Sequence, residues 1–392
     1  MGATVELGAF NGFTLDDPVL GLLDTGVLDG GIDFEDVTQF VTTVSVSRGK
    51  ARDLDQVSAG QLSVQFRNEG RDFDPSTTGP LTTYVVPRKP VRVQSEGTPV
   101  FNGFVDDWNF NYSMGGLAVA SIEASDGFNL LARQQNANGS AVAESSGARV
   151  ARVLDQITVQ WPNAQRAIQD GQTTLEAGVL EGNALQYLQK IAVSESSLMF
   201  ISKSGDFTFL ERLIQDASQV KFSDAGTGIP YEDVAVSYGT EELANRAVVT
   251  SGAGTAIATD ATSQVIYGIT ERDVDTFLST QTQLQGLADY IVLRYGVPEY
   301  RIERVTVNLN RLSPAQVTEV LALELGSIAD VEFQPPGGGA PVALRNRVIG
   351  IAHDVGLSEH LVSFNFEGLP FDFFVLDDAL FGKLDGEGIL GF

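Results

Sequence analysis

The chain of 392 residues contains no cysteine, so it has neither a disulfide framework nor a thiolate metal site. Histidine occurs twice and tryptophan twice, which leaves little material for a histidine metal centre or an aromatic glycan platform. Basic residues are scarce: 25 Lys and Arg stand against 51 Asp and Glu, for a net charge of −26. That balance repels phosphate backbones and argues against a surface that grips nucleic acid. The acidic excess serves solubility; around a passage for DNA it would also keep the polymer from adhering. The segment Met1–Glu6 lacks the basic and apolar regions of a signal peptide. Gly2 with Thr4 does not fit the myristoylation pattern. No apolar run reaches the ~18 residues that a membrane span needs, so stable membrane insertion is not expected.

What is present is a 43% apolar share, enough for real cores, and a length that suits two or three domains. A short phrase occurs at both ends. Phe13-Thr14-Leu15-Asp16-Asp17 with Gly21 and Leu23-Asp24 returns in register as Phe374-Val375-Leu376-Asp377-Asp378 with Gly382 and Leu384-Asp385. The copies lie far outside the 20–50-residue period of a solenoid. An apolar-acidic phrase of this length builds no core alone, but it can dock, which favours assembly over catalysis.

Alternation of apolar and polar residues marks strands at 41–47, 61–67, 90–94, 100–105 and 117–124, with Glu96-Gly97 as a hairpin turn. Gln134–Ser140 is polar and reads as a boundary. Beyond it the period becomes helical: Val150, Val153, Leu154 and Ile157 share one face, and Leu185, Leu188, Ile191 and Ala192 another, capped by Asn183. A hairpin at Ser204-Gly205-Asp206 follows. β patterning resumes at Tyr231, with strands expected at 234–238, 246–250, 265–269, 304–308, 342–345, 347–351 and 361–366. Leu284, Leu287, Ala288, Ile291 and Val292 mark one helix among them. The fold class expected is mainly β with an α/β insert: an arm over 1–39, a β-barrel-like domain over 40–133, the insert over 141–230, a second such domain over 231–368, and an arm over 369–392.

Several segments, in this order, resemble the hub-type minor tail proteins of long-tailed bacteriophages, especially those of actinobacterial hosts. They are Val46–Lys50 with Gly60–Val64, Asn68–Pro75, Pro87–Val93, Phe101–Trp108, Ala124–Ala132, Tyr267–Arg272 and the terminal Phe-x-Leu-Asp-Asp phrase. The resemblance implies a structural protein of the virion, assembled in the host cytoplasm. It would be a homotrimeric tail-tip hub whose two related β domains per subunit make a six-membered ring around the DNA passage. Such a ring joins the sixfold tail tube to the threefold tip. The implied partners are the distal tail protein ring, the tape-measure protein and other tail-tip proteins, with DNA only in transit. Some larger relatives carry a fused cell-wall hydrolase, and with the end at Phe392 none is expected here. The alternative is a tip protein that binds or degrades host envelope glycan.

Neither an enzyme nor a cofactor is expected. His353 and His360 lack the spacing of a helical zinc motif and read as flanking a turn. No Gly-x-Ser-x-Gly elbow occurs. Asn68–Asp74 is acidic but lacks the alternation of a calcium loop. Asp106 and Asp107 are adjacent on a strand, so they point apart and do not converge on a glycosidic bond. Arg88, Lys89 and Arg92 suit an intersubunit contact. The docking candidates are therefore Phe13, Leu15 and Leu23 with Phe374, Leu376 and Leu384 as apolar anchors. Asp16, Asp17, Asp24, Asp377, Asp378 and Asp385 accompany them as acceptors. Each arm docks onto a neighbouring tail subunit or covers an edge of its own domain.

Overall fold

A computed structural model of the chain describes residues 2–10, 32–77, 79, 81–211 and 217–369. The first β region holds β1 (Ala3–Phe10), β2 (Ile32–Asp36), β3 (Val41–Gly49), β4 (Ser58–Arg67), β5 (Pro90–Ser95), β6 (Thr98–Tyr112) and β7 (Ala118–Ser125). They lie in the order β3-β4-β7-β6-β5-β1-β2, every pair antiparallel. Alternation sets the faces as expected: Leu62, Val64 and Phe66 are fully buried while Gln61 and Gln65 are exposed. Glu96 and Gly97 both have positive φ, 48° and 74°, the backbone that a two-residue hairpin demands. Residues 1–39 are not simply an arm. β1 lies between β5 and β2, with Val5 and Leu7 fully buried. Ala3-Thr4-Val5-Glu6-Leu7 alternates like any half-buried strand.

The insert begins at α1 (Gly127–Leu131), capped by Asp126, which accepts from the Phe128 amide. It continues through β8 (Gly139–Ala141), β9 (Glu144–Ser145), α2 (Ser146–Leu154), β10 (Arg166–Ile168), β11 (Thr174–Leu175), β12 (Gly178–Leu180), α3 (Ala184–Glu195), β13 (Leu198–Ile201) and β14 (Phe207–Leu210). Val150, Val153, Leu154, Leu188, Ile191 and Phe207 share one core. Asn183 caps α3 as expected, accepting from the Gln186 amide at 3.1 Å. Ile157 does not join the core: α2 ends at Leu154, and Ile157 is 79% exposed.

The last region holds β15 (Val220–Ser223), β16 (Asp233–Tyr238), β17 (Arg246–Ser251), β18 (Gly254–Thr259), α4 (Ala261–Tyr267), β19 (Glu271–Asp275), α5 (Gln281–Tyr295), β20 (Tyr300–Asn308), α6 (Pro314–Ala322), β21 (Ile328–Phe333), β22 (Val342–Val355) and β23 (His360–Gly368). Residues 231–368 are not one β unit. β17, β18 and β19 form a separate sheet under α5, with a core of Ala247, Val249, Leu284, Leu287, Ala288 and Ile291. The strand expected at 265–269 is instead mostly α4. Asp260 accepts from the Thr262 and Ser263 amides, and Gly268, at φ 79°, ends the helix.

The remaining six strands lie in the order β16-β20-β23-β22-β21-β15. In the first region six strands run β3-β4-β7-β6-β5-β1. Taken in chain order, β1, β3, β4, β5, β6 and β7 correspond to β15, β16, β20, β21, β22 and β23. The two β regions thus share one strand order. β6 and β22 are the long strands of each, and both carry a bulge, between Val105 and Asp107 and between Val348 and Gly350. One pairing differs: β1 lies antiparallel on β5, whereas β15 lies parallel on β21. β2 has no counterpart. The regions are also continuous, because β22 pairs with β3 and one apolar core runs through both.

An aromatic cluster packs the first region. Phe73, fully buried, stands 4.7 Å from Phe66, 5.8 Å from Trp108 and 5.2 Å from Phe40, ring centre to ring centre. Removing it leaves a cavity between β4, β6 and the turn after β4. Phe73→Ala should cost about 3–5 kcal/mol of stability and Phe73→Leu clearly less, read from chemical denaturation.

Candidate assembly site at the domain junction

The junction of the two β regions is built from Val44–Gly49 of β3 against Gly350–Val355 of β22, antiparallel, with Gly49 opposite Gly350 and Val44 opposite Val355. Arg48 is buried at this seam and pairs with Glu324. The other Glu324 oxygen accepts from the Lys203 amide at 2.9 Å. Lys203 Nζ donates to the carbonyls of Leu321, Ala322 and Leu323 at 2.7, 3.0 and 3.2 Å, closing the C-terminal end of α6. Burial pulls the Lys203 ammonium below its ordinary range.

Both histidines lie beside this seam. The turn expected between them is Gly356–Glu359, and it places His353 on β22 and His360 on β23, with His353 Nδ1 3.1 Å from His360 Nε2. Burial, then the neighbouring ring of His360, then Arg48 and Lys203, hold His353 well below the usual imidazole range. Burial brings His360 down to about 4. Among the described residues no group of three or more His, Asp or Glu side chains is placed to hold a metal ion.

The other weighed residues are engaged in the fold. Asp106, in the β6 bulge, accepts from Asn129 at 2.9 Å and from Ser125, with Arg88 and Arg133 at 3.7 and 3.6 Å; Asp107 is exposed. In the 68–74 turn, Asn68 accepts from the Phe73 amide, and Asp74 holds Arg71, Ser76 and the Tyr112 hydroxyl. Hydrogen bonds from Ser76, then Arg71, keep the Asp74 carboxyl well below its usual range. Arg92 pairs with Glu6 and lies 3.9 Å from the Phe34 ring centre. Arg88 and Arg92 therefore have partners within the chain.

The docking candidates Phe13, Leu15, Asp16, Asp17, Leu23 and Asp24, with Phe374, Leu376, Asp377, Asp378, Leu384 and Asp385, lie outside the described residues. The first copy falls between Phe10 and Ile32, which pair with each other at the end of β1 and β2. The second follows Gly368, whose carbonyl accepts from Arg294 at 2.8 Å in the last turn of α5. An apolar surface absent from the candidates is exposed on the second α/β unit: Val265 at 87%, Ile266 at 66% and Ile269 at 67%. Its sequence signal, four large apolar residues within five positions, suits the strand expected at 265–269 as well as it suits an exposed helix face.

No family model matches the chain, and no curated protein does. Solved structures do. A tail protein from Neisseria meningitidis is 10% identical, with a TM-score of 0.62 over 94% of this chain and 96% of that one. The 43 kDa tail protein of prophage MuSo2 from Shewanella oneidensis is 13% identical, with a TM-score of 0.56 over 86% and 94%. Prophage tail protein gp18 from Listeria monocytogenes is 12% identical, with a TM-score of 0.50 over 92% and 94%. At these identities the likeness is one of fold, and it spans nearly the whole of each chain.

The buried histidines tie the junction to pH. The unfolded chain takes up their protons near 6.5, whereas the folded chain binds one at His360 only near 4. Their contribution is therefore intact above pH ~6.5 and lost as pH falls from there toward 4. Asp126, whose carboxyl burial raises to about 7, acts in the opposite direction, so the comparison is made against a variant. His360→Gln should lose up to about 3 kcal/mol less stability than the parent over that window, measured by urea denaturation at several pH values.

Proposed function

We propose that this chain is a structural protein of a phage-type tail: a homotrimeric hub at the tail tip that adapts the sixfold tube to the threefold tip and surrounds the DNA passage. The observation that carries the reading is the duplicated topology. One chain brings two like β regions, so three chains in cyclic symmetry bring six like units around one axis. The whole-length likeness in fold to three tail proteins supports the same reading. Its partners are then the distal tail ring, the tape-measure protein and other tip proteins, and its place is the virion after assembly in the host cytoplasm. A non-enzymatic role fits side chains spent on structure: Asp106 ties β6 to α1, and the two histidines face each other.

Multi-angle light scattering on the purified chain should return three times the monomer mass. A monomer or dimer at micromolar concentration would overturn the hub.

In this reading the repeated phrases are the hooks. Phe13, Leu15 and Leu23, and likewise Phe374, Leu376 and Leu384, insert into pockets on neighbouring tail subunits, while the paired aspartates accept hydrogen bonds that fix the register. Burying one large apolar side chain contributes ~1.5–3 kcal/mol, enough in threes to offset ordering a terminal segment. Phe13→Ser with Phe374→Ser should abolish tail assembly and leave the trimer equally heat-stable. A destabilised trimer that still assembles would show that the phrases cover the chain's own edges.

A further inference from the structure

The duplication exposes a missing contact. Inside the chain, the second half of β22 pairs with β3. β6 corresponds to β22 and β16 to β3, and the register of each sheet carries the correspondence to single residues. In the first region Val44 faces Val64, Val64 faces Ile122, and Ile122 faces Trp108. In the second Val234 faces Val305, Val305 faces Phe364, and Phe364 faces Ile351. Val44–Gly49 thereby matches Val234–Gly239, Val-Ser-Val-Ser-Arg-Gly against Val-Ala-Val-Ser-Tyr-Gly, with four of six residues identical. Asp107–Tyr112 likewise matches Gly350–Val355.

The matching strands do not meet within the chain. Among the described residues β16 pairs with β20 alone, and Asp107–Tyr112 pairs with β7 alone. Their side chains show the vacancy. Val44 and Val46 are each 1% exposed and Val355 3%, whereas Val236 is 38%, Tyr112 52% and Tyr238 68% exposed. A Cβ on Gly49 would stand 2.2 Å from the Ile349 carbonyl oxygen; on Gly239 it would meet nothing within 4 Å. The same positions are covered in one junction and bare in the other. Among the described residues β2, at another edge of the main sheet, has no counterpart in the duplication and carries Asp33, Glu35 and Asp36, charges that protect an edge from pairing.

We propose that β16 of one copy of this chain adds to the second half of β6 of another copy, antiparallel, in the register of the internal junction: Asp107 opposite Gly239, Asn109 opposite Ser237, Phe110 opposite Val236 and Tyr112 opposite Val234. The contact is head-to-tail and repeats the step that already relates the two halves of one chain. Internal and external junctions then alternate, and a sixfold step closes the ring after three chains. This pairing rests on the ring proposed above and names the strands that hold it together.

The absence of cysteine makes the test clean. Asn109→Cys with Ser237→Cys places two thiols on directly opposed residues, where cross-strand Cβ atoms come ~4.5–5.5 Å apart. After mild oxidation a non-reducing gel should show most of the chain as covalent trimer, and neither single variant should cross-link. The register-shifted pair Asn111→Cys with Ser237→Cys should yield only a trace. A trimer by light scattering that the matched pair does not cross-link overturns the strand pairing and leaves the ring. A monomeric parent overturns both. Val236→Lys, on an exposed edge, guards against misfolding: it should turn trimer into monomer of unchanged far-UV circular dichroism, and a persisting trimer counts against the pairing.

Discussion

The close approach of Gly49 and Gly350 is the constraint on which the rest of the molecule depends. They face each other where β3 meets β22, and neither tolerates a side chain. A Cβ on Gly49 would collide with the Ile349 carbonyl, and one on Gly350 would stand 2.4 Å from the Lys50 carbonyl. Gly49 also has a φ of 89°, in the left-handed region that glycine enters without strain. The contact lets the Lys50 amide reach the Ile349 carbonyl at 2.8 Å and carries the ladder from one β region into the other. With it the apolar cores merge, from Val5 and Leu62 through to Val307 and Phe364. What reads in sequence as two β domains around an insert is one sheet with two passengers.

Buried charge holds one passenger together and ties the other down. The first α/β unit keeps Arg149, fully buried, between Glu144, the Tyr187 hydroxyl and the carbonyls of Val142 and Glu176. The second is tied to the main sheet by Tyr295 donating to Asp53 at 2.6 Å, by Glu242 accepting from the Asp53 amide at 3.0 Å, and by Arg294 on the Gly368 carbonyl. Burial, reinforced by Asp53, raises the Glu367 carboxyl within the same group. Truncating one member of such a set strands the others without partners, so these ties fix one orientation more than they add net stability.

Much of this was legible in the sequence because alternation and capping are local. Leu62-Ser63-Val64-Gln65-Phe66, the Glu96-Gly97 turn and the Asn183 cap depend only on neighbours, and each forms where the pattern puts it. What failed was non-local or ambiguous. Val265-Ile266-Tyr267 is apolar and β-branched, yet Asp260 and Gly268 bound a helix there, and its apolar face lies in solvent. β1 was hidden by its place at the terminus next to a repeated phrase. Two related β domains were implied by the resemblance, but the residue-level match escaped, because four identities in six residues carry no weight until register shows that both segments hold the same place in like β regions. The histidine contact is of the same kind: seven residues apart is no motif, but a hairpin with a four-residue turn brings the two rings together.

On the proposed strand pairing, the differences between the matched segments follow from when each junction forms. The internal one assembles as the chain folds, with both halves tethered at high effective concentration. It can bury Arg48, because Glu324 is always at hand, and it can place His353 in a desolvated site. The proposed external one would join copies that have already folded, so a cation at its centre would lose water before any partner arrives. The residues at those positions are Tyr238 in place of Arg48 and Phe110 in place of His353, flanked by Trp108 and Tyr112. Aromatic side chains offer large area with little conformational entropy to lose and no charge to desolvate, the composition that interface centres favour. In the proposed ring one strand order thus serves twice, with charge where the partner is covalently assured and aromatic surface where it must be found.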